Sequence, residues 1–546
     1  MIAVGAVVLV VAVTAFSPRV GVAGPLVLVV IGIAVSFLPW VPPVSAEPEI
    51  VLSGVLPPLL FSSAVSMPSM DFRRDFRAIS ALSVVLVVLS SVAVGFLVAW
   101  LIPGIGLATG IALGAIVSPT DAVATSIVRH LGAPSRVVTV LEGESLLNDA
   151  TALVLLRAAI AATAGVVSVW AVAERFLVSV AVAVVIGAIV GMLNLRIRRA
   201  LRHPVAGTAI SFVVPFVASV PADAFGASGL VAAVAAGLVT GNGLARYLRP
   251  QDRIADEQNW RTIELLLEGG IFLLMGLEVD GLVENLREAG GSMATAAWIG
   301  AAVAATVILV RAAHVTALLL GLGAQARRKA AGAVHRVAPE YLMSKPFTAR
   351  ERTVIVWAGM RGAVTLAAAQ TLPGDTRQRA MLVLVAFVVA AGTLLLQGGT
   401  LPWLVTTLGV VDQDAAEAEA ERAALLAAMN RAGIAVLDDP ELRRPTGGPY
   451  DRTLVRAIRG SVAQASDLRR HQVLQEAKEQ RFELRLAVID MQRRALLDAR
   501  RHGAYSSRTL REVLAALDAE QISIELKGGL PARLGNALNV SVSDPG

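Results

Sequence analysis

From Met1 to about Val411 the chain is a succession of apolar blocks, each long enough to cross a lipid bilayer, separated by short polar connectors. Hydrocarbon offers no partners for backbone N–H and C=O groups, so a spanning segment must be a helix or part of a closed barrel. These blocks approach the roughly 20 residues a helix needs rather than the roughly 10 of a barrel strand. The expected fold is therefore an all-α polytopic membrane protein. Of the 546 residues 55% are hydrophobic and 16% charged, against roughly 25% charged in an ordinary soluble domain. The charge is concentrated after Asp412, which divides the chain into a transmembrane domain, 1–411, and a helical tail, 412–546.

About thirteen spans can be placed, near 2–17, 22–40, 49–66, 78–102, 105–129, 137–163, 170–195, 206–220, 226–243, 261–280, 294–320, 353–371 and 380–410. Arginines cluster in the connectors after odd-numbered spans: Arg73, Arg74 and Arg77; Arg129 and Arg136; Arg196, Arg198, Arg199 and Arg202; Arg246, Arg249 and Arg253. Positive connectors stay in the cytoplasm, which predicts an external N-terminus, a cytoplasmic tail and residence in the cell membrane. No Lys or Arg precedes the stretch from Ile2 to Phe16, so it reads as a retained first helix rather than a cleaved leader.

The residue inventory excludes several chemistries. There are no cysteines, hence no disulfide framework or thiolate metal site. The histidines, His130, His203, His314, His335, His471 and His502, form no pair at metal-ligand spacing, and neither an enzyme nor a cofactor is expected. The net charge of +6 comes mainly from arginines at helix ends, which serve orientation in lipid rather than binding of nucleic acid.

Two spans carry interruptions at mid-membrane depth. Span five contains Ser118-Pro119-Thr120-Asp121, and proline removes a backbone donor and clashes with the preceding turn, so the helix should open there. Span twelve contains Gly359-Met360-Arg361-Gly362. If spans 1–6 and 8–13 are two inverted six-helix repeats, both interruptions fall fifth in their repeat. Paired breaks of that kind point to a transporter whose broken helices cross at a mid-membrane site.

Span six places Glu142, Glu144, Asn148 and Asp149 in an otherwise apolar helix. Such charges cost several kcal/mol in lipid and must face the protein interior, pair, or bind an ion. Ser145 and Asp149 share one helix face, a hydroxyl and a carboxylate suited to a small hard cation. Glu144 and Asn148 share the adjoining face, where Glu144 is an available partner for Arg361.

The segments SPTDAV at 118–123, EGESLLNDAT at 142–151 and GMRGAV at 359–364 resemble the motifs of monovalent cation:proton antiporters of the NhaP/NHE type, as do PPLLFSSA at 57–64 and FLLMGLEV at 272–279. The resemblance covers about residues 1–410. It implies a homodimer in membrane lipid that exchanges sodium for protons, with Asp149 as carrier and Thr120, Asp121 and Ser145 beside it. It further implies that sodium sits at Asp149, Thr120 and Ser145, that Asn148 stabilises the crossing helices, and that Glu144 and Arg361 form an intramembrane salt bridge. The Asn148-Asp149 pair is similar to the electroneutral branch, one cation per proton. Two departures stand out: Ser62 and Ser63 occupy span three where archaeal relatives carry an acid, and Ala122 follows Asp121 where animal relatives have proline.

Exchange of this kind needs a group that holds either a proton or a cation and does not readily cross empty. A carboxylate withdrawn from water fits, because the two ligands compete for it and the bare anion is costly to move through lipid. Potassium or lithium as the exchanged ion, and a gated cation channel, remain open alternatives at this point. In the tail, helices are expected at 415–432, 452–500 and 507–518, the first ending at Gly433, with 438–450 as a linker.

Overall fold

The structure is a computed structural model of the chain. It describes residues 2–39, 41–42, 44, 47–163, 169–201, 203–332 and 347–410, then 427–429, 431–439, 442–444, 448–467 and short pieces between 484 and 524. The chain divides into two compact units, Met1–Gln413 and Asp414–Gly546.

All regular secondary structure among the described residues of the first unit is helical. Helices α1 (Ile2–Val20), α2 (Gly24–Ser36) and α3 (Leu56–Ser66, entered through a π-helical stretch Ile50–Val55) are followed by α4 (Ser69–Ser80), which continues through a second π-helical stretch, Ala81–Val85, into α5 (Leu86–Leu101). Next come α6 (Leu107–Val117), α7 (Val123–His130), α8 (Ser135–Thr163), α9 (Val169–Ala200), α10 (Pro204–Ala224), α11 (Gly229–Tyr247) and α12 (Pro250–Leu277). The unit ends with α13 (Val279–Glu288), α14 (Met293–Gly332), α15 (Ala349–Trp357), α16 (Ala363–Gln370) and α17 (Arg379–Leu408).

Every stretch read as a span carries helix. Among the described residues, however, seven helices are long and apolar enough to cross a membrane by themselves, with Val4–Ser17, Gly24–Ser36, Ile50–Ser66 and Leu107–Val117 as shorter apolar helices. The difference from thirteen arises because several stretches are short, charged or broken. Close helix contact rests on small residues: a Cβ at Gly237 or Gly241 on α11 would collide with the carbonyl oxygens of Phe61 and Val65 on α3. Such small-residue approaches replace the hydrophobic drive that lipid cannot supply.

In the second unit, α18 (Arg452–Asp467) is the longest described helix, and Arg459 pairs with Asp438 at 2.9 Å. Residues 431–437 are helical, so the helix passes through Gly433 instead of ending there. A single interior glycine costs only about 1 kcal/mol and does not by itself stop a helix. Most of the helices expected at 415–432 and 507–518, and most of the one expected at 452–500 beyond Asp467, lies outside the described residues.

Both expected interruptions are present. The chain leaves the helix at 118–122, between α6 and α7, and at 358–362, between α15 and α16. The two breaks touch: the Asp121 N–H donates to the Met360 carbonyl at 2.9 Å. Breaking a helix frees carbonyls at one new end and N–H groups at the other. Here the freed carbonyls are met by two fully buried arginines. Arg361 donates from Nε to Val117 O at 2.9 Å, from Nη2 to Ser118 O at 3.3 Å, and from Nη1 to Gly359 O. Its backbone N–H donates to Thr393 Oγ1 on α17 at 3.1 Å. Arg311, on α14, donates from Nε to Ile355 O at 3.2 Å and Val356 O at 3.1 Å, and from Nη2 to Ile355 O at 2.8 Å.

Arg311 is also the partner of Glu144. Its Nη2 reaches Oε2 at 2.9 Å and its Nη1 closes the fork on Oε1, with both side chains buried. The expected salt bridge between Glu144 and Arg361 is therefore corrected. Arg361 is consumed by the carbonyls of its own break and of the facing one, while Glu144 is reached from a different helix. Removing one partner from a buried pair strands the other charge, at a cost of about 3–5 kcal/mol. Glu144→Gln or Arg311→Gln should accordingly lower the melting temperature of the purified protein, and the double variant should regain part of the loss. Single variants that melt with the wild type would refute the pairing.

Candidate functional site

The residues singled out in spans five and six converge at the crossing. Thr120, in the first break, is the hub. Its hydroxyl donates to Glu144 Oε1 at 3.2 Å and accepts from Asn148 Nδ2 at 2.8 Å. Its carbonyl accepts from Asn148 Nδ2 at 3.3 Å and from the Ser145 hydroxyl at 3.2 Å. Glu144, Ser145 and Asn148 all lie within about one turn of α8, so a single helix segment holds the opened backbone in place. Thr120 thus spends its hydroxyl on bracing. Ser145 spends only its proton and keeps its oxygen lone pairs available.

Asp121 sits where positive helix ends meet. Its Oδ1 accepts from the Val123 N–H at 2.8 Å at the start of α7, and its Oδ2 lies against Gly362, at the start of α16. A Cβ at Gly362 would overlap that oxygen, so the close approach of the two breaks requires glycine there. Helix N-termini carry partial positive charge and favour an anion.

Asp149 is different. Its side chain is 8% exposed, and no hydrogen bond or ion pair to its carboxylate is found among the described residues. Every other charge at the crossing has compensation: Glu144 from Arg311, Arg361 from three carbonyls, Asp121 from two helix starts.

A cavity of about 290 Å³ opens beside Asp149. On one side it is lined by α3 (Leu56, Leu60, Ser63, Ser66) and α12 (Glu264, Glu268, Ile271). On the other it is lined by Thr120, Asp121, Ser126 and Arg129, by Glu142, Ser145 and Asp149, and by the start of α16 at Gly362. It meets solvent at Arg129, whose side chain is 59% exposed and paired with Glu142. Beyond Ile271 and Ala363, which also line the cavity, lies a separate small gap of about 10 Å³ among Leu274, Met275 and Leu366. Space of that size for the centre of a water-sized sphere is at most about room for one water, so a hydrated ion does not fit. At that closed end Gln370 Nε2 donates to Glu278 Oε2 at 3.0 Å.

Three contributors were missed in the sequence. Arg311 lies inside the eleventh span, and Glu264 and Glu268 inside the tenth. The rule applied to span six, that a charge within an apolar helix needs a reason, would have found all three. Glu264 stands beside Ser62, the position at which the span-three acid is absent. No group of three or more His, Asp or Glu arranged to hold a metal ion occurs among the described residues.

The chain matches the family described as sodium/hydrogen exchanger, transmembrane, over residues 5–407. It is 30% identical over 533 residues to an uncharacterised Na+/H+ exchanger of Mycobacterium tuberculosis, covering 94% of this chain and 93% of that one. It is 31% identical over 523 residues to another from Escherichia coli, covering 90% and 92%. A relative from Bacillus pumilus named as a sodium, potassium, lithium and rubidium/H+ antiporter is 29% identical over 404 residues, 70% of this chain and 57% of that one. Among solved structures, the sodium proton antiporter of Methanocaldococcus jannaschii superposes with a TM-score of 0.53 at 18% identity, covering 75% of this chain and 99% of that one, a likeness of fold. By the family match and the two near-full-length relatives, the chain belongs to the transmembrane sodium/hydrogen exchanger family.

Proposed function

We propose that the protein is a secondary antiporter of the cell membrane that exchanges sodium for protons one for one at Asp149. The observation that carries this reading is the Asp149 carboxylate, buried, lining the cavity, and, among the described residues, alone at the crossing in having no partner. A carboxylate in that position needs a ligand from outside the protein. A proton satisfies it by neutralisation and a cation by charge pairing, and one excludes the other. With a single carrier carboxylate the loaded site has the same charge in both cases, which is the basis for electroneutral exchange. Ser145 supplies a neutral oxygen next to it, Asp121 tunes the field, and Thr120 with Asn148 holds the frame.

By the distribution of arginines the N-terminus is outside and the tail inside, so the cavity at Arg129 opens to the cytoplasm. Alternating access then means that the bundle carrying the crossing moves against α3 and α12, opening the gap at Ile271 and Ala363 while the cavity closes. The working assembly is a homodimer of two inverted-repeat protomers in lipid. Potassium or lithium in place of sodium is the second reading, favoured by the name of the Bacillus pumilus relative.

Asp149→Asn should abolish cation-dependent proton flux in everted membrane vesicles, while the protein inserts and purifies in normal amount. Full flux in that variant would overturn the assignment. Competition has a further signature. On the acidic side of the carrier's titration, raising the pH by one unit should lower the apparent KM for sodium about tenfold, because one proton must leave for each cation bound. A sodium KM independent of pH throughout the active range would argue against a shared site.

A further inference from the structure

The cavity holds more negative charge than the crossing uses. Five carboxylates line it, Asp121, Glu142, Asp149, Glu264 and Glu268, against one guanidinium, Arg129, which is already paired with Glu142. Glu264 and Glu268 are four residues apart on α12, so they project from one face of that helix into the cavity. No ion pair to either is found among the described residues. The nearest arginine on α12, Arg261, is bridged to Glu257 at 2.6 Å. On the same wall, α3 presents Ser63 and Ser66 to the same space, and Ser62 stands beside Glu264. The cavity also takes in Asp149, a buried residue whose carboxylate likewise has no partner among the described residues.

We infer that Glu264 and Glu268, with the serine hydroxyls of α3, form a second cation station in the cavity, where an incoming monovalent cation exchanges part of its water for carboxylate and hydroxyl oxygens before it reaches Asp149. This rests on the exchange reading above and extends it. A narrow cleft with low-dielectric walls and one sign of charge concentrates counter-ions about 10- to 1,000-fold. The station belongs to one side only. Glu264 and Glu268 sit on the wall made by α3 and α12, while Asp121, Ser145 and Asp149 sit on the facing wall. When the two walls move relative to each other, the glutamates do not accompany Asp149 to the other face. The station therefore acts on cations taken up from or released to the cytoplasm.

The test is transport kinetics of the full chain in oriented vesicles. In Glu264→Gln and Glu268→Gln, the apparent KM for sodium offered at the cytoplasmic face should rise about tenfold, the low end of the focusing range. Maximal rate should stay within about twofold and the KM at the external face should be unchanged. Glu268→Asp, which keeps the charge, should restore most of the affinity. An unchanged cytoplasmic KM, an equal KM shift at both faces, or a loss of maximal rate alone would overturn the inference. If the glutamine variants fail to accumulate, binding of radioactive sodium to purified protein decides. Asp149→Asn should keep weak binding, and Asp149→Asn combined with Glu264→Asp and Glu268→Asp should keep it too. Absence of any sodium binding in Asp149→Asn refutes the station. Failure of the exchange reading looks different: full flux in Asp149→Asn, whatever the glutamate variants do.

Discussion

The structure depends on compensating what two broken helices leave exposed in a medium without water. Opening a helix at 118–122 and again at 358–362 creates four new helix ends inside the membrane domain. Unsatisfied backbone groups in hydrocarbon cost several kcal/mol each, so the breaks persist only because side chains replace the missing bonds. The division is systematic. Arg361 and Arg311 take the carbonyl ends of α6 and α15, and Asp121 accepts from the N–H end of α7 and lies against the start of α16. The Asp121 N–H to Met360 carbonyl bond ties the two openings together. The crossing is thus an electrostatic knot in which Arg311, Arg361 and Asp121 each meet backbone groups, while Asp149 is left without a protein counterpart among the described residues.

That arrangement explains which parts were legible from sequence. Proline at 119 and glycines at 359 and 362 announce the breaks through local backbone chemistry, which a single sequence carries in full. The i,i+4 spacing in span six places Ser145 with Asp149, and both line the cavity. What sequence could not assign was the partner of Glu144. Arg311 and Arg361 are both lone arginines in apolar spans, and the choice between them depends on which guanidinium the freed carbonyls absorb. That is a tertiary question: Arg361 is inside a break and bonds locally, leaving Arg311 to arrive from α14. The glutamates of α12 were overlooked for a different reason. Span ten reads as one more apolar helix, and its charges acquire meaning only when α12 is found facing the crossing across the cavity.

The position of Thr120 changes how the site is understood. A threonine beside two aspartates suggests a hydroxyl offered to an ion. In the structure that hydroxyl bridges Glu144 and Asn148, and its carbonyl takes two more donors. The residue thereby ties the 118–122 break to α8, which carries both Asp149 and the Glu144 end of the Glu144–Arg311 pair. A shift of Asp149 relative to the break would strain all four bonds, so the crossing is suited to move as a unit.

A rigid crossing has a consequence for coupling. If the bonds around Thr120 hold α8 and both breaks as one body, the variable element is the other wall, α3 and α12, and the relative motion is one body sliding past another. An unliganded Asp149 would carry its bare charge along that slide past the apolar constriction at Ile271, Leu274 and Leu366. The cost of an unpaired ion there is several kcal/mol, enough to make the empty transition rare against one neutralised by a proton or a cation. On the exchange proposed above, the same constriction that closes the cavity at one end would favour coupled exchange, because it would pass the crossing readily only when the Asp149 carboxylate has found a partner.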